Sequence, residues 1–278
     1  MSEGKTMSNI LSDFSPVALI AAMEANAQEL AVLWGRALRA EFHEEPEQQW
    51  FISGLPFELG NGVVRAAFTT ADVDAKIEEV TRHFKERNVP AAWLVGPSSQ
   101  PADLGSHLEA AGWIRDDEAP GMAIDLLALR EDNPLPPALV IKEVSDGEML
   151  KQWIRTMTVG SGIPDSVQNI LLDLCARYGF VSVPSVSYYL GLLDGEPVAT
   201  SLLFLGGGVA GIYNVATLPE TRGRGIGTAL TVAPLLAARA KGYRSGILQS
   251  TQMGLNVYRR LGFQEYCSFG FYFMSVDA

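Results

Sequence analysis

Apolar residues along this chain switch between a helical spacing and strand-like alternation, and the switches lay out its elements. From Pro16 to Ala40 the apolar run is interrupted by Glu24, Glu29, Arg36 and Arg39, which predicts an amphipathic helix rather than a membrane span. Asp72 to Asn88 reads as a helix, "AAWLVG" as a strand, "ADLGSHLEAA" as a helix and "GMAIDLL" as a strand. In the second half Val140 to Val144 reads as a strand. Helices are expected from Glu148 to Thr158 and from Asp165 to Tyr178, with Asp165 as a cap. "SYYLGLL" and "PVATSLLFL" are strands around the hairpin signal "DGE", and "GGG" at 206–208 is a turn before a strand from Val209 to Thr217. A long helix from Arg224 to Lys241 stops at Gly242. "GILQS" is a strand, "MGLNVYRRL" a helix ended by Gly262, and "FQEYCSFGFYFM" supplies one or two closing strands.

The two halves share an order of elements. "EAAGW" at 109–113 matches "RRLGF" at 259–263, and "GMAIDLL" mirrors the closing strand. This predicts a tandem repeat of one α/β fold, each copy with a mixed sheet flanked by helices. The proline-rich "REDNPLPPAL" at 130–139 disfavours helix and sheet and reads as a linker. The expected domains are residues 1–130, a linker at 131–139 and residues 140–278.

Composition narrows the partners. With 47% hydrophobic residues a sizeable core is no difficulty. A net charge of −11 argues against nucleic acid and anionic membranes and leans slightly toward a cationic small molecule. The two cysteines, Cys175 and Cys267, are too few for a disulfide framework, and with no signal-peptide pattern in "MSEGKTMSNILSDF" a cytoplasmic setting is expected.

One segment departs from this background. "LPETRGRGIGTAL" at 218–230 sets Arg222, Gly223, Arg224, Gly225 and Gly227 between a strand and a helix. Backbone amides at a helix start, behind glycines that let a ligand approach, make an anion site suited to phosphate. The dinucleotide fingerprint G-x-G-x-x-G fails, because the third glycine comes one residue early, and no Gly-Lys-Ser/Thr exists for a P-loop. The first copy reads "FTTADVDAKI" at the corresponding place, without glycine.

Arg222-x-x-Gly225-x-Gly227, set between strand and long helix, resembles the pyrophosphate loop of the GNAT (GCN5-related) N-acetyltransferases. "NVYRRLGFQEY" at 256–266 is similar to that family's second signature, and the resemblance covers about residues 140–278. It implies a catalytic GNAT domain in the second half, a degenerate copy in the first, and acetyl-CoA (coenzyme A) as cofactor. The amides of Arg222, Gly223, Arg224, Gly225, Ile226, Gly227 and Thr228 would cradle the pyrophosphate. Val215, Ala216 and Thr217 would hydrogen-bond the pantetheine arm, and splayed strands Val209–Thr217 and Gly246–Ser250 would open a V for it. Thr251 stands where relatives often carry asparagine and still offers a hydroxyl; Gly254 takes the family's small-residue place.

Transfer from a thioester to an amine needs a neutral amine, in-line placement, donors for the developing oxyanion and a proton for the leaving thiolate. Tyr258 matches the family's acid position, and the first copy has Leu108 there. A core aromatic on a helix is the other reading of Tyr258. No carboxylate occurs in Val209–Thr217; Tyr213 and Asn214 lie there, as proton relays or as strand packing. His43, His83 and His107 all fall in the first half with no metal-like spacing, so no metal site is expected. "TVGSGIPDS" at 158–166 is the expected substrate entrance, with Trp153, Met157 and Tyr189 either lining it or filling a core. The resulting expectation is an N-acetyltransferase that moves acetyl directly to a primary amine, most plainly a small molecule, within a ternary complex. The alternatives are a non-catalytic acyl-CoA sensor or interaction module, and a transferase of a longer acyl group. A homodimer stays open.

Overall fold

The computed structural model describes residues 10–116, 118–131, 136–178 and 183–276. The elements run α1 (Pro16–Ala37), β1 (Glu41–Glu45), β2 (Gln48–Ile52), β3 (Asn61–Ala66), α2 (Val73–Glu86), β4 (Ala91–Val95), α3 (Leu104–Ala110), β5 (Ile114–Arg115) and β6 (Ala119–Asp125). They continue with β7 (Leu139–Glu143), α4 (Gly147–Ser161), α5 (Asp165–Tyr178), β8 (Val186–Leu193), β9 (Glu196–Gly206) and β10 (Val209–Thr217). The last are α6 (Ile226–Ala240), β11 (Ser245–Gln249), α7 (Leu255–Leu261) and β12 (Gln264–Met274).

Two compact units form, and neither is continuous in sequence. Of the described residues, one gathers those within 10–26, 122–248 and 254–264; the other gathers those within 27–121, 249–253 and 265–276. The units therefore do not part at the proline-rich segment expected as the linker, whose residues 132–135 lie outside the described ones. The closing strands explain the difference. "GMAIDLL" does not close the first copy: from Met122 on it joins the unit that holds β7–β11, beside β11. β12, one strand of 11 residues, pairs antiparallel with β4, Gly270 against Val95 and Met274 against Ala91. Strand exchange of this kind is set by long-range pairing that local pattern does not encode.

In the first unit β7, β8, β9 and β10 form an antiparallel meander, joined in parallel by β11. Its hairpins turn where the backbone needs positive φ, at Asp194 (52°) with Gly195 (90°) and at Gly207 (56°) with Gly208 (76°). α6 and α7 cover one face, and their buried Ile226, Leu230, Leu235 and Tyr258 pack with Leu203, Ile212 and Leu248 of the strands. In the second unit the order is β1-β2-β3-β4-β12, with β3–β4 parallel and a core of Trp50, Ile77, Phe84, Trp93, Leu108 and Trp113. The repeat is visible in detail: Trp113 N–H donates to Leu108 O and Phe263 N–H to Tyr258 O, each at 3.0 Å past a left-handed glycine.

Two local expectations are corrected. α6 begins at Ile226 rather than Arg224, because Gly225 sits at φ 79° and only then can the helix start. α5 is not capped by Asp165, since the Pro164 carbonyl accepts the amides of Val167 and Gln168 and Asp165 is already helical.

Candidate functional site

β10 and β11 start as partners and then separate. They pair in parallel at Ala210 with Gly246 and Gly211 with Ile247. Beyond that point β10 bulges. Tyr213 faces Leu202 of β9 and the next regular pair is Ala216 with Thr200, so β10 carries one extra residue. Within the bulge Asn214 is left-handed at φ 50°, and its carbonyl accepts from the Thr200 hydroxyl at 2.9 Å. β10 then continues through Val215, Ala216 and Thr217 past its registered pairing with β11, with Ala216 and Thr217 paired to β9.

A two-glycine turn follows directly. Gly223 and Gly225 lie at φ 77° and 79°, values at which any other residue is strained. α6 has no side-chain cap and no acidic residue in its first turn. Its first bond runs from Ala229 N–H to Gly225 O at 3.1 Å, so the amides of Ile226, Gly227 and Thr228 precede the first helical partner. Gly227 differs from its neighbours: its φ is ordinary, and a Cβ there would meet nothing nearer than Thr217 Oγ1 at 3.6 Å. The fold itself does not require glycine at 227, and the space beside that residue is open. These features fit a pyrophosphate-bearing group.

The arginines divide in role. Arg222 donates from Nε to Thr217 O at 3.1 Å and from its terminal nitrogen to Gly160 O at 2.9 Å. It ties the end of β10 to the end of α4, where a Cβ on Gly160 would lie 3.0 Å from Ala216 Cβ. Its guanidinium is thus a clamp beside the turn, a task its sequence position did not reveal. Gly223, Arg224 and Gly225 are exposed.

Tyr258 on α7 is buried at 9% exposure, its ring edge-on to Phe263 at 5.8 Å. Burial pushes its phenol up to about 12, against a smaller opposing pull from a hydrogen bond with Thr231. The Thr231 hydroxyl itself donates to Gly227 O at 2.8 Å. Thr231, wholly buried on α6, links the acid candidate to the turn. Nothing in the sequence singled it out. Thr251 is exposed and accepts through its carbonyl from Ser250 Oγ at 2.8 Å, in the 249–253 segment that packs with the second unit.

Other sequence candidates fall into the core. Trp153, Met157 and Tyr189 are all buried; Trp153 Nε1 donates to Ser201 O, and burial pushes Tyr189 up to about 12. Tyr213 donates its hydroxyl to Asn26 Oδ1 at 2.6 Å. His107 pairs with Asp74, and His43 stacks on Trp50 at 3.7 Å. Among the described residues no group of three His, Cys, Asp or Glu is placed to hold a metal ion.

The second unit repeats the layout and closes it. β3 and β4 pair in parallel at Gly62 with Ala92 and Val63 with Trp93. Past that point the chain's own Gln100 pairs with the end of β3: its N–H donates to Ala66 O at 3.1 Å and its carbonyl accepts from Phe68 N–H at 3.0 Å. α2 then starts with Asp72, which accepts the Thr69 hydroxyl at 2.6 Å, and with Asp74 in its first turn. Carboxylates at that helix start repel a second anion.

Residues 184–265 match a family model described as an acetyltransferase (GNAT) domain. No curated protein matches the chain. Among solved structures, the chain resembles a GCN5-related N-acetyltransferase from Kribbella flavida, with TM-score 0.66, 16% identity, and 88% of this chain and 94% of that one covered. It resembles a GCN5-related N-acetyltransferase from Sphaerobacter thermophilus with TM-score 0.62, 17% identity, and 95% and 94% covered. A tandem GNAT protein from the clavulanic acid biosynthesis pathway aligns with TM-score 0.54, 14% identity, and 83% and 79% covered. The diverging strands, the glycine turn and these matches lead to one assignment: the chain has the fold of the GCN5-related N-acetyltransferases, and its residues 184–265 match the model of an acetyltransferase (GNAT) domain.

Proposed function

We propose that this protein is an acyl-CoA-dependent N-acetyltransferase that moves the acetyl group of acetyl-CoA onto a primary amine within one complex of both substrates. The observation that supports it most is the separation of β10 from β11, ending at a glycine turn whose helix start lacks a side-chain cap. When bound, acetyl-CoA supplies an activated acyl group and a thiolate leaving group. The chain's residues do the rest. The amides at 223–228 hold the pyrophosphate, with Gly227 leaving room for it. The main chain of Val215, Ala216 and Thr217, at the end of β10, orients the pantetheine arm. Tyr258, neutral because burial raises its phenol to about 12, holds a proton for the leaving sulfur. No histidine or carboxylate stands on β10, so the acceptor amine enters neutral, which favours an amine of low pKa or an alkaline optimum. The acceptor we propose is a small-molecule amine.

Thiol release from acetyl-CoA, measured with a panel of amines, tests this. Wild type is expected to turn over at least one amine. Tyr258→Phe is expected to lower kcat by about 100-fold while the KM for acetyl-CoA stays within about threefold. Equal kcat in the two proteins makes Tyr258 a core residue. One observation favours a second reading, an acyl-CoA-binding module without transfer: the Tyr258 hydroxyl is buried and already engaged by Thr231. Binding without thiol release for any amine would select it, and the same assay with longer acyl-CoA thioesters separates acyl preference.

A further inference from the structure

Asn26, remote in sequence from the site, is wholly buried and spends every polar atom of its side chain on the β9–β10 hairpin. Its Nδ2 donates to Gly206 O at 2.7 Å and to Phe204 O at 3.4 Å, and its Oδ1 accepts from the Tyr213 hydroxyl at 2.6 Å. The hairpin is shaped to receive it. A Cβ on Gly211 would lie 2.3 Å from Asn26 Oδ1 and 2.6 Å from the Tyr213 ring. A Cβ on Gly207 would lie 2.8 Å from Ala22 O and 2.9 Å from Asn26 N. Close approach by α1, not turn geometry alone, therefore excludes side chains at both glycines.

Tyr213 is the last residue of β10 in regular register with β9 before the bulge. Its neighbour Asn214 is held by Thr200 from the β9 side. The bulge is thus held at two points: at its start through Tyr213 to Asn26, and inside through Asn214 to Thr200. The place of the bulge matters because successive side chains alternate between faces, so a shift of pairing by one residue turns a side chain to the opposite face. Migration by one residue toward the end of β10 would break the pairing of Ala216 with Thr200 and turn the backbone of Ala216 over.

We infer that Asn26 is a positioning residue, which acts through the Tyr213 hydroxyl to fix the place of the β10 bulge and so the edge that receives the pantetheine arm. The last clause rests on the acyl-CoA reading above; the bulge placement does not. Through this contact a residue of α1, far from either signature, sets the geometry of the site.

The test compares Tyr213→Phe, Asn26→Ala and Gly211→Ala with Leu19→Ala, a control that loosens α1 at another buried position. Amide exchange across residues 212–218 of the ligand-free protein is the first readout, and acetyl-CoA dissociation constants the second. The three variants are expected to exchange at least tenfold faster there and to bind acetyl-CoA at least fivefold more weakly. Leu19→Ala is expected to lower the melting temperature while leaving both readouts unchanged. Should Asn26→Ala or Gly211→Ala fail to fold, Tyr213→Phe, which removes one oxygen, still decides. Wild-type exchange across 212–218 in Tyr213→Phe overturns the inference. Faster exchange in a protein whose wild type never binds acetyl-CoA upholds the positioning of the bulge and sinks the acyl-CoA reading instead.

Discussion

The Arg222 guanidinium bonds the carbonyl of Thr217, five residues back, at 3.1 Å, and reaches Gly160 O at 2.9 Å with its other arm. A residue placed by sequence among the phosphate ligands thus closes the turn on itself and locks it to α4. The planar fork of arginine spans both carbonyls, and a lysine ammonium on a single stem does not reproduce it. Arg222→Lys is expected to raise the acetyl-CoA Kd about tenfold by loosening the turn, although the charge is kept. Arg224→Ala is expected to change Kd by no more than about threefold, with an effect that fades in salt. Calorimetric titration at low and high salt checks both.

Gly227 separates cofactor space from fold. Its φ is ordinary and its Cβ direction is open, so Gly227→Val is expected to shift stability by less than about 1 kcal/mol. The valine would nevertheless project over the amides of the turn and reduce acetyl-CoA affinity by at least tenfold. Gly225→Ala is the reverse case: φ 79° makes it cost about 1 kcal/mol whether or not cofactor is present. Thermal melts with and without acetyl-CoA distinguish the two.

Both outcomes bear on how much was readable in advance. The strand Val209–Thr217, both hairpins and the glycine stops at Gly242 and Gly262 follow from local chemistry, where positive φ demands particular residues. The glycine turn was legible for the same reason. β1 to β3 were not, because "EFHEE" places charges on an exposed strand and shows no alternation of apolar residues. The exchange of closing strands, the Thr231 link and the Asn26 contact depend on partners far apart in sequence, which no window reveals. Arg222 was seen and its partners were not.

Tyr258 carries a pH signature. Its phenol is raised in the folded state to about 12 from an unfolded value of about 10. The neutral form is therefore favoured by folding. The stability this represents is fully present below about pH 10 and is lost as pH rises toward about 12, by at most about 3 kcal/mol. Tyr258→Phe is expected to flatten part of that alkaline loss, with Tyr189, also raised to about 12, and Tyr188 and Tyr272, both raised by burial, contributing to the rest. Denaturant titrations at pH 8 and above measure it. If transfer is confirmed, turnover should rise with pH as the amine deprotonates and show no fall below about pH 10 from loss of the acid.

The second unit should take no cofactor. Gln100 already pairs with Ala66 and Phe68 at the end of β3, and Asp72 and Asp74 stand at the start of α2. The amides of Phe68 and Gln100 are expected to be protected from exchange in the ligand-free protein and unchanged on adding acetyl-CoA. Protection that appears at those amides with the cofactor would show a second site.

Calorimetric titration of the whole chain with acetyl-CoA, alongside Gly225→Asp, tests the central claim most directly. The account predicts micromolar binding at one molecule per chain, abolished in the variant because a carboxylate then occupies the pyrophosphate position. Absence of binding by the wild type, or binding that survives Gly225→Asp unchanged, would contradict it.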